Sequence, residues 1–247
     1  MSLSQLKLDN DVEQAADVLG GGGAKETGIY PFTVKHAYMH KSAGGALGIS
    51  VRCDDGSGGT FDTTQWVASG DAKGNKPYYE RNGKKYPLPG YSIIDDMCQL
   101  GTDVALADMD TEEKTIKLYD FDEQKEVPTE VDMLVDLVGA NVYLAIQKCL
   151  VDKTEENPNF DDSKREDKIS NPKRIPTGET REENEVSKVF EASSKLTAKE
   201  IADNVDECVF FDKWLAKNEG KVRDKTSKDA KKTGTAKAGS PKKKMFG

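Results

Sequence analysis

The chain has 247 residues, of which 36% are hydrophobic and 32% charged, with a net charge of -8 and a mean hydropathy of -0.69. That composition suffices for one compact core, and leaves a good part of the chain as solvated loop or tail. It excludes a membrane span, since no apolar run has membrane length, and shows no signal-peptide pattern, so the chain reads as soluble and intracellular.

Residues 1–25 read as a flexible N-terminal arm. Leu3, Leu6, Val12, Ala15, Ala16 and Leu19 fall at roughly helical spacing, as a short helix, a docking arm or a disordered start would have them. Gly20 to Gly23 then form a hinge. From Gly28 the pattern changes to period two. Tyr30, Phe32 and Val34 alternate with polar neighbours, and the alternation slips at His36–Ala37, which predicts a bulge and bend. Ser42 to Gly45 makes a turn, Leu47, Ile49 and Val51 a second strand, Asp54 to Gly59 another turn, and Phe61 to Val67 a third strand.

Residues 68–90 lack periodicity and read as a long loop. Ser92 is placed to cap a helix carrying Ile93, Ile94, Met97, Cys98 and Leu100, with Gly101 as its stop. Thr115 to Phe121 and Val142 to Val151 supply two further strands, with a short apolar run from Met133 to Val138 between them. The fold class is therefore mainly β (α+β), with residues 26–151 forming a five-stranded OB-like barrel that has a helix between strands 3 and 4. A different small antiparallel barrel and a sandwich are the alternatives. Residues 152–187 read as a charged excursion or linker. Residues 188–220 should form C-terminal helical elements packed on the barrel, with a capping box at Thr197 to Glu200 and an apolar cluster of Phe210, Phe211, Trp214 and Leu215. Residues 221–247 read as a disordered basic tail.

Charge is unevenly distributed. Residues 1–150 carry net -10, residues 151–220 net -6 and residues 221–247 net +8. Within the acidic body lies one basic stretch, where Lys73, Lys76, Arg81, Lys84 and Lys85 are interleaved with Tyr78, Tyr79 and Tyr86. Cations that track phosphates and aromatic faces that stack on bases are what sequence-tolerant binding of a single strand requires. The competing reading is that the tyrosines pin the loop and the charges solvate it. Lys35, Lys41, Arg52 and Trp66 are candidates to share a surface with that loop, Trp66 pointing outward by alternation or lying buried. His36 and His40 are candidates for phosphate contact, or plain strand histidines.

Chemistry beyond binding finds no support. Gly20 to Gly23 is not followed by the Gly-Lys-Ser/Thr of a phosphate loop. The paired acids Asp54-Asp55, Asp95-Asp96 and Asp161-Asp162 suit turns and helix starts, and the strand interiors are apolar, which a two-metal nuclease would not tolerate. The four cysteines lack zinc-site spacing, and three of them sit in apolar runs, as core thiols in a reducing compartment. Neither an enzyme nor a metal or cofactor protein is expected.

Several runs in order carry a resemblance. They are Lys41-Ser42 with Gly44-Gly45, Tyr78-Tyr79, Lys85 to Gly90, Leu137-Val138-Gly139, Pro176 to Arg181 with Asn184, Lys213-Trp214, and Asn218 to Asp224. Across residues 26–226 the chain resembles the single-stranded DNA-binding proteins of lytic tailed phages, particularly the N-four-like podoviruses. That resemblance implies an OB fold, coating of single strands in DNA replication and DNA recombination, and the cytoplasm of an infected bacterial host. Some members of that group also activate transcription through host RNA polymerase, which would make Lys242, Lys243, Lys244 and Phe246 a partner-binding tail. The basic terminus departs from the acidic tail of many replication-type binding proteins. The rival expectation is a protein-interaction adaptor whose tail and acidic body are docking surfaces.

Overall fold

A computed structural model describes residues 23–120, 123–164 and 170–227. The first 22 residues of the expected arm, and the tail positions Lys242, Lys243, Lys244 and Phe246, lie outside the described residues. The strands are β1 (Gly28–Lys41), β2 (Leu47–Asp54), β3 (Thr60–Trp66), β4 (Tyr78–Arg81), β5 (Lys84–Pro87), β6 (Thr111–Asp120), β7 (Lys125–Leu134), β8 (Asn141–Glu156), β9 (Arg174–Glu191) and β10 (Arg223–Asp224). The helices are α1 (Pro89–Thr102), α2 (Ala198–Ala202) and α3 (Val209–Asn218). No described helix is long and apolar enough to cross a membrane.

Eight strands form one mixed sheet, mainly antiparallel, with β10 parallel to β8. β1 is its spine. It pairs with β2 on one side, and on the other with β8 through its first half and β7 near its end. The expected slip in alternation is a bulge between Val34 and His36 in the β1–β2 register. The extra residue changes parity, so Phe32 and Val34 before it and Ala37 after it all enter the core while Lys35 stays exposed.

The sheet does not close into a barrel. Along the path β3-β2-β1-β8-β9 the two end strands are not paired with each other, and α1 packs against both. That helix starts at Pro89, after Leu88 as N-cap, so Ser92 is an internal residue whose N–H bonds Leu88 O at 3.0 Å. Proline at the first helical position gives a start that needs no side-chain cap. Ile93, Ile94, Met97 and Cys98 form the buried stripe of α1, facing Val34, Ile49, Val51, Leu144 and Val189 in the main core.

A second cluster lies on the opposite face of β8 and β9. Alternation along β8 sends Val142, Leu144 and Ile146 to the main core, and Ala145 with partly buried Tyr143 to the other side, where Phe190, Phe211 and Trp214 cover them. Phe211 meets Phe190 at 5.1 Å and Tyr143 at 5.8 Å in edge-on contacts. The C-terminal apolar cluster thus packs back on the sheet as a helix, preceded by α2 with its full Thr197–Glu200 capping box.

Two expected boundaries move. Residues 152–187, expected as linker, are largely strand, because β8 and β9 continue as a paired arm from Asp152↔Thr180 to Glu156↔Arg174. Its polarity reflects a ribbon solvated on both faces, which extends a ladder already rooted in the core. The tail expected to be disordered from residue 221 is held as far as Ser227. Thr27 Oγ1 donates to Lys221 O (2.6 Å), Lys225 N to Leu150 O (2.9 Å) and Ser227 N to Asp152 Oδ2 (2.8 Å).

Candidate functional site

The expected loop at 68–90 contains a hairpin. A short helical turn at Asp71–Lys73 leads into β4 and β5, which pair as a separate two-stranded sheet. Its turn is Asn82-Gly83, with φ of 52° and 72°. Both values are positive, which suits the tight primed turn that matches strand twist. This dipeptide was the signal in the sequence for a hairpin the absent periodicity concealed.

Alternation sorts the hairpin side chains. In register, Tyr79 faces Tyr86 and Arg81 faces Lys84, so these four share one face. Tyr78, Glu80, Lys85 and Pro87 occupy the other. Tyr79 and Tyr86 stack on each other with centroids 5.6 Å apart and rings inclined 26°, and remain 44% and 41% exposed. Tyr78 is engaged differently, with Lys85 Nζ 4.7 Å and Lys76 Nζ 5.8 Å from its ring centroid. Glu80 is the single acid of the hairpin and lies away from the Tyr79–Tyr86 face. No described ion pair involves Lys41, Lys73, Lys76, Arg81, Lys84 or Lys85.

The hairpin rises from the end of the sheet where β3 stops and β2 begins. Asp71 N donates to Gly44 O (3.0 Å), tying the loop to the β1–β2 turn beside Lys41. Gly90 at the start of α1 lies so close to Trp66 that a Cβ there would sit 2.5 Å from the Trp66 carbonyl oxygen.

Beside it lies the outer face of β1, β2 and β3, where register builds three cross-strand rows. They are His36–Arg52–Asp62, Tyr38–Ser50–Thr64 and His40–Gly48–Trp66. Trp66 points outward, 44% exposed, and meets His40 edge-on at 5.3 Å. Gly48 makes this possible, since a Cβ there would come within 2.9 Å of His40 and 3.0 Å of Trp66. In the next row Ser50 Oγ lies 2.9 Å from Thr64 Oγ1 and 3.3 Å from His40 Nδ1. The β6–β7 hairpin walls the far side through Lys117, Leu118 and Tyr119, leaving a groove of about 490 Å³.

Two expected phosphate contacts are already occupied. Arg52 Nε donates to Asp62 Oδ1 (2.7 Å) and Nη2 to Oδ2 (3.0 Å), and this hydrogen-bonded carboxylate raises the guanidinium pKa. Lys35, thrown out by the bulge, pairs with Asp54 at 3.2 Å, away from the hairpin. Of the expected set, the structure places Arg52 and Trp66 on the outer face, and Lys73, Lys76, Arg81, Lys84, Lys85 and the three tyrosines on or beside the hairpin. Tyr38, Ser50, Thr64 and Tyr119 were missed as site residues. Their grouping depends on cross-strand register, which local sequence does not display. Among the described residues no cluster of His, Cys, Asp and Glu could hold a metal ion.

No protein-family model, no curated protein and no solved structure matches this chain.

Proposed function

We propose that this chain is a non-enzymatic, sequence-tolerant binder of single-stranded DNA. The observation that carries the reading is the β4–β5 face, where the exposed Tyr79–Tyr86 pair sits beside Arg81 and Lys84 with no described counter-ion. Unpaired cations release counterions from a phosphate backbone, and exposed ring faces stack on any base. The adjoining rows add His40 and Trp66 to the aromatic surface, and Tyr38 lines the groove beside them.

The strand path β3-β2-β1-β8-β9, with α1 between the third strand and the last pair, supports an OB-type architecture opened by its helix. On such folds the face of strands 2 and 3 is the usual surface for oligonucleotides. In this reading β4–β5 and β6–β7 are insertions that bracket that face. The resemblance to phage single-strand-binding proteins extends the proposal to coating of single strands during phage DNA replication and recombination.

The test is a mobility-shift competition with the full chain on a labelled single strand, challenged with unlabelled single strand or duplex of the same sequence. The single strand should compete at least about tenfold better, since stacking needs unpaired bases. Equal competition by duplex would make the contact purely electrostatic and overturn the reading.

A further inference from the structure

β3 is an edge strand, paired only with β2 among the described residues. Val67 N donates to Leu47 O at 2.9 Å. Bonded residues alternate in an antiparallel ladder, so Phe61, Thr63 and Gln65 turn their amides to β2, and Asp62, Thr64 and Trp66 turn theirs outward. At Trp66 that outward side is covered by Gly90. At Asp62 and Thr64 no turn or loop backbone of the described residues bonds the outward N–H and C=O.

Exposed strand edges are normally guarded by charge, proline or irregularity. The outer edge of β6 carries Glu112, Glu113, Lys114 and Lys117, and that of β9 carries Pro176 and three glutamates between 182 and 185. β3 reads Thr60 to Trp66 with one charge, Asp62, which Arg52 neutralises.

We propose that the free edge of β3 docks a second copy of this chain, paired antiparallel about Thr63. In that register Asp62 faces the partner's Thr64 and the converse, which satisfies the outward amides with about four backbone hydrogen bonds. The neighbouring registers fail. Shifting one way sets Asp62 directly against the partner's Asp62, which opposes two carboxylates side by side although each is held by its own Arg52. Shifting the other way sets Asp62 against the partner's Trp66, whose edge Gly90 covers. A shift by one residue mismatches the amides altogether. The edge is therefore self-complementary in one register. A two-fold axis normal to the sheet keeps both outer faces on the same side, so the two sets of β1–β3 rows join into one surface. The pairing rests on backbone geometry and stands apart from the DNA reading.

The test uses the full chain without DNA, carrying Thr63→Cys. Thr63 and its copy would form a non-hydrogen-bonded pair with Cα atoms about 4.5 Å apart, within the roughly 4.4–6.8 Å that a disulfide spans. The substitution forfeits only the Gln65 Nε2 to Thr63 Oγ1 bond of 2.9 Å. Burial pushes the Cys53 and Cys98 thiols up to about 12, so they stay protonated, and partly exposed Cys208 sets the background measured in the unsubstituted chain. Under oxidised glutathione the variant should form a disulfide dimer about tenfold or more faster than the unsubstituted chain, because pairing orients the thiols. Adding Thr64→Pro deletes an outward N–H, spares the backbone ladder to β2 while losing the Thr64 Oγ1–Ser50 Oγ bond, and should return the rate to background with unchanged circular dichroism. A Thr63→Cys rate at background, or one insensitive to Thr64→Pro, overturns the proposal. So does sedimentation of the unsubstituted chain as a monomer from micromolar to millimolar concentration.

Discussion

The β4–β5 hairpin and the outer face of β1–β3 both present basic and aromatic side chains, yet they differ in what is free to act. On the hairpin, Arg81 and Lys84 have no described counter-ion, and Tyr79 and Tyr86 are held mainly by each other. The face is anchored by the main core through Val51, Ile49 and Phe61, and its Arg52 is spent on Asp62. What it otherwise offers is aromatic and hydroxyl: Trp66, Tyr38, and the mutually bonded Ser50 and Thr64. The hairpin should therefore supply the salt-dependent part of affinity together with stacking, and the face a rigid, weakly charged track. Composition already favours the hairpin, with Arg81, Lys84 and Lys85 against the single Arg52 of the three rows. Ion pairing separates them further.

That division predicts a graded series. The largest effect belongs to Tyr79→Ala with Tyr86→Ala. Each stacked base contributes about 1–3 kcal/mol, so affinity for an oligonucleotide should fall more than about tenfold while its salt dependence holds. Anisotropy titrations at several salt concentrations read both quantities. Next comes Arg81→Gln with Lys84→Gln. Affinity should fall several-fold at low salt, and the log–log salt slope should become shallower by about 1.4, at about 0.7 per phosphate contact on a single strand. An unchanged slope would move the phosphate contacts elsewhere.

Smaller effects are expected on the face. Trp66→Ala should weaken binding by about 1 kcal/mol, the lower end of a stacking contribution, with no change in slope. DNA should quench the intrinsic tryptophan fluorescence of the parent chain, and this variant should lose most of that response because Trp214 is buried between α3 and the sheet. The smallest effect is that of Arg52→Gln, which should leave affinity within about a factor of two, since Asp62 already engages its guanidinium through two hydrogen bonds. A large loss there would mean that Arg52 leaves Asp62 for phosphate, and would erase the contrast between the two regions.

Much of this organisation could be read from the chain, for physical reasons that differ by element. The first three strands alternate cleanly because one side of each is core, and the bulge showed itself because an extra residue inverts that alternation. The capping box was local chemistry and therefore legible. The β8–β9 arm was not, because a ribbon solvated on both faces has no apolar period to display. The β4–β5 hairpin hid for the same reason, although Asn82-Gly83 marked its turn. Ser92 misled because Leu88-Pro89 starts the helix without a side-chain cap. At the site, composition singled out the hairpin cations and tyrosines. It could not show that Arg52 was paired with a residue ten positions away, or that Tyr38 and Tyr119 line one groove, since those facts belong to register.

The central claim is that the hairpin makes this chain a binder of single strands. Its most direct test is an anisotropy titration of the full chain against fluorescent oligothymidylate across a salt series. The account predicts tight binding at low salt that weakens steadily as salt rises, with a slope set by a handful of phosphate contacts. Absence of binding at low salt, or binding indifferent to salt, would contradict it.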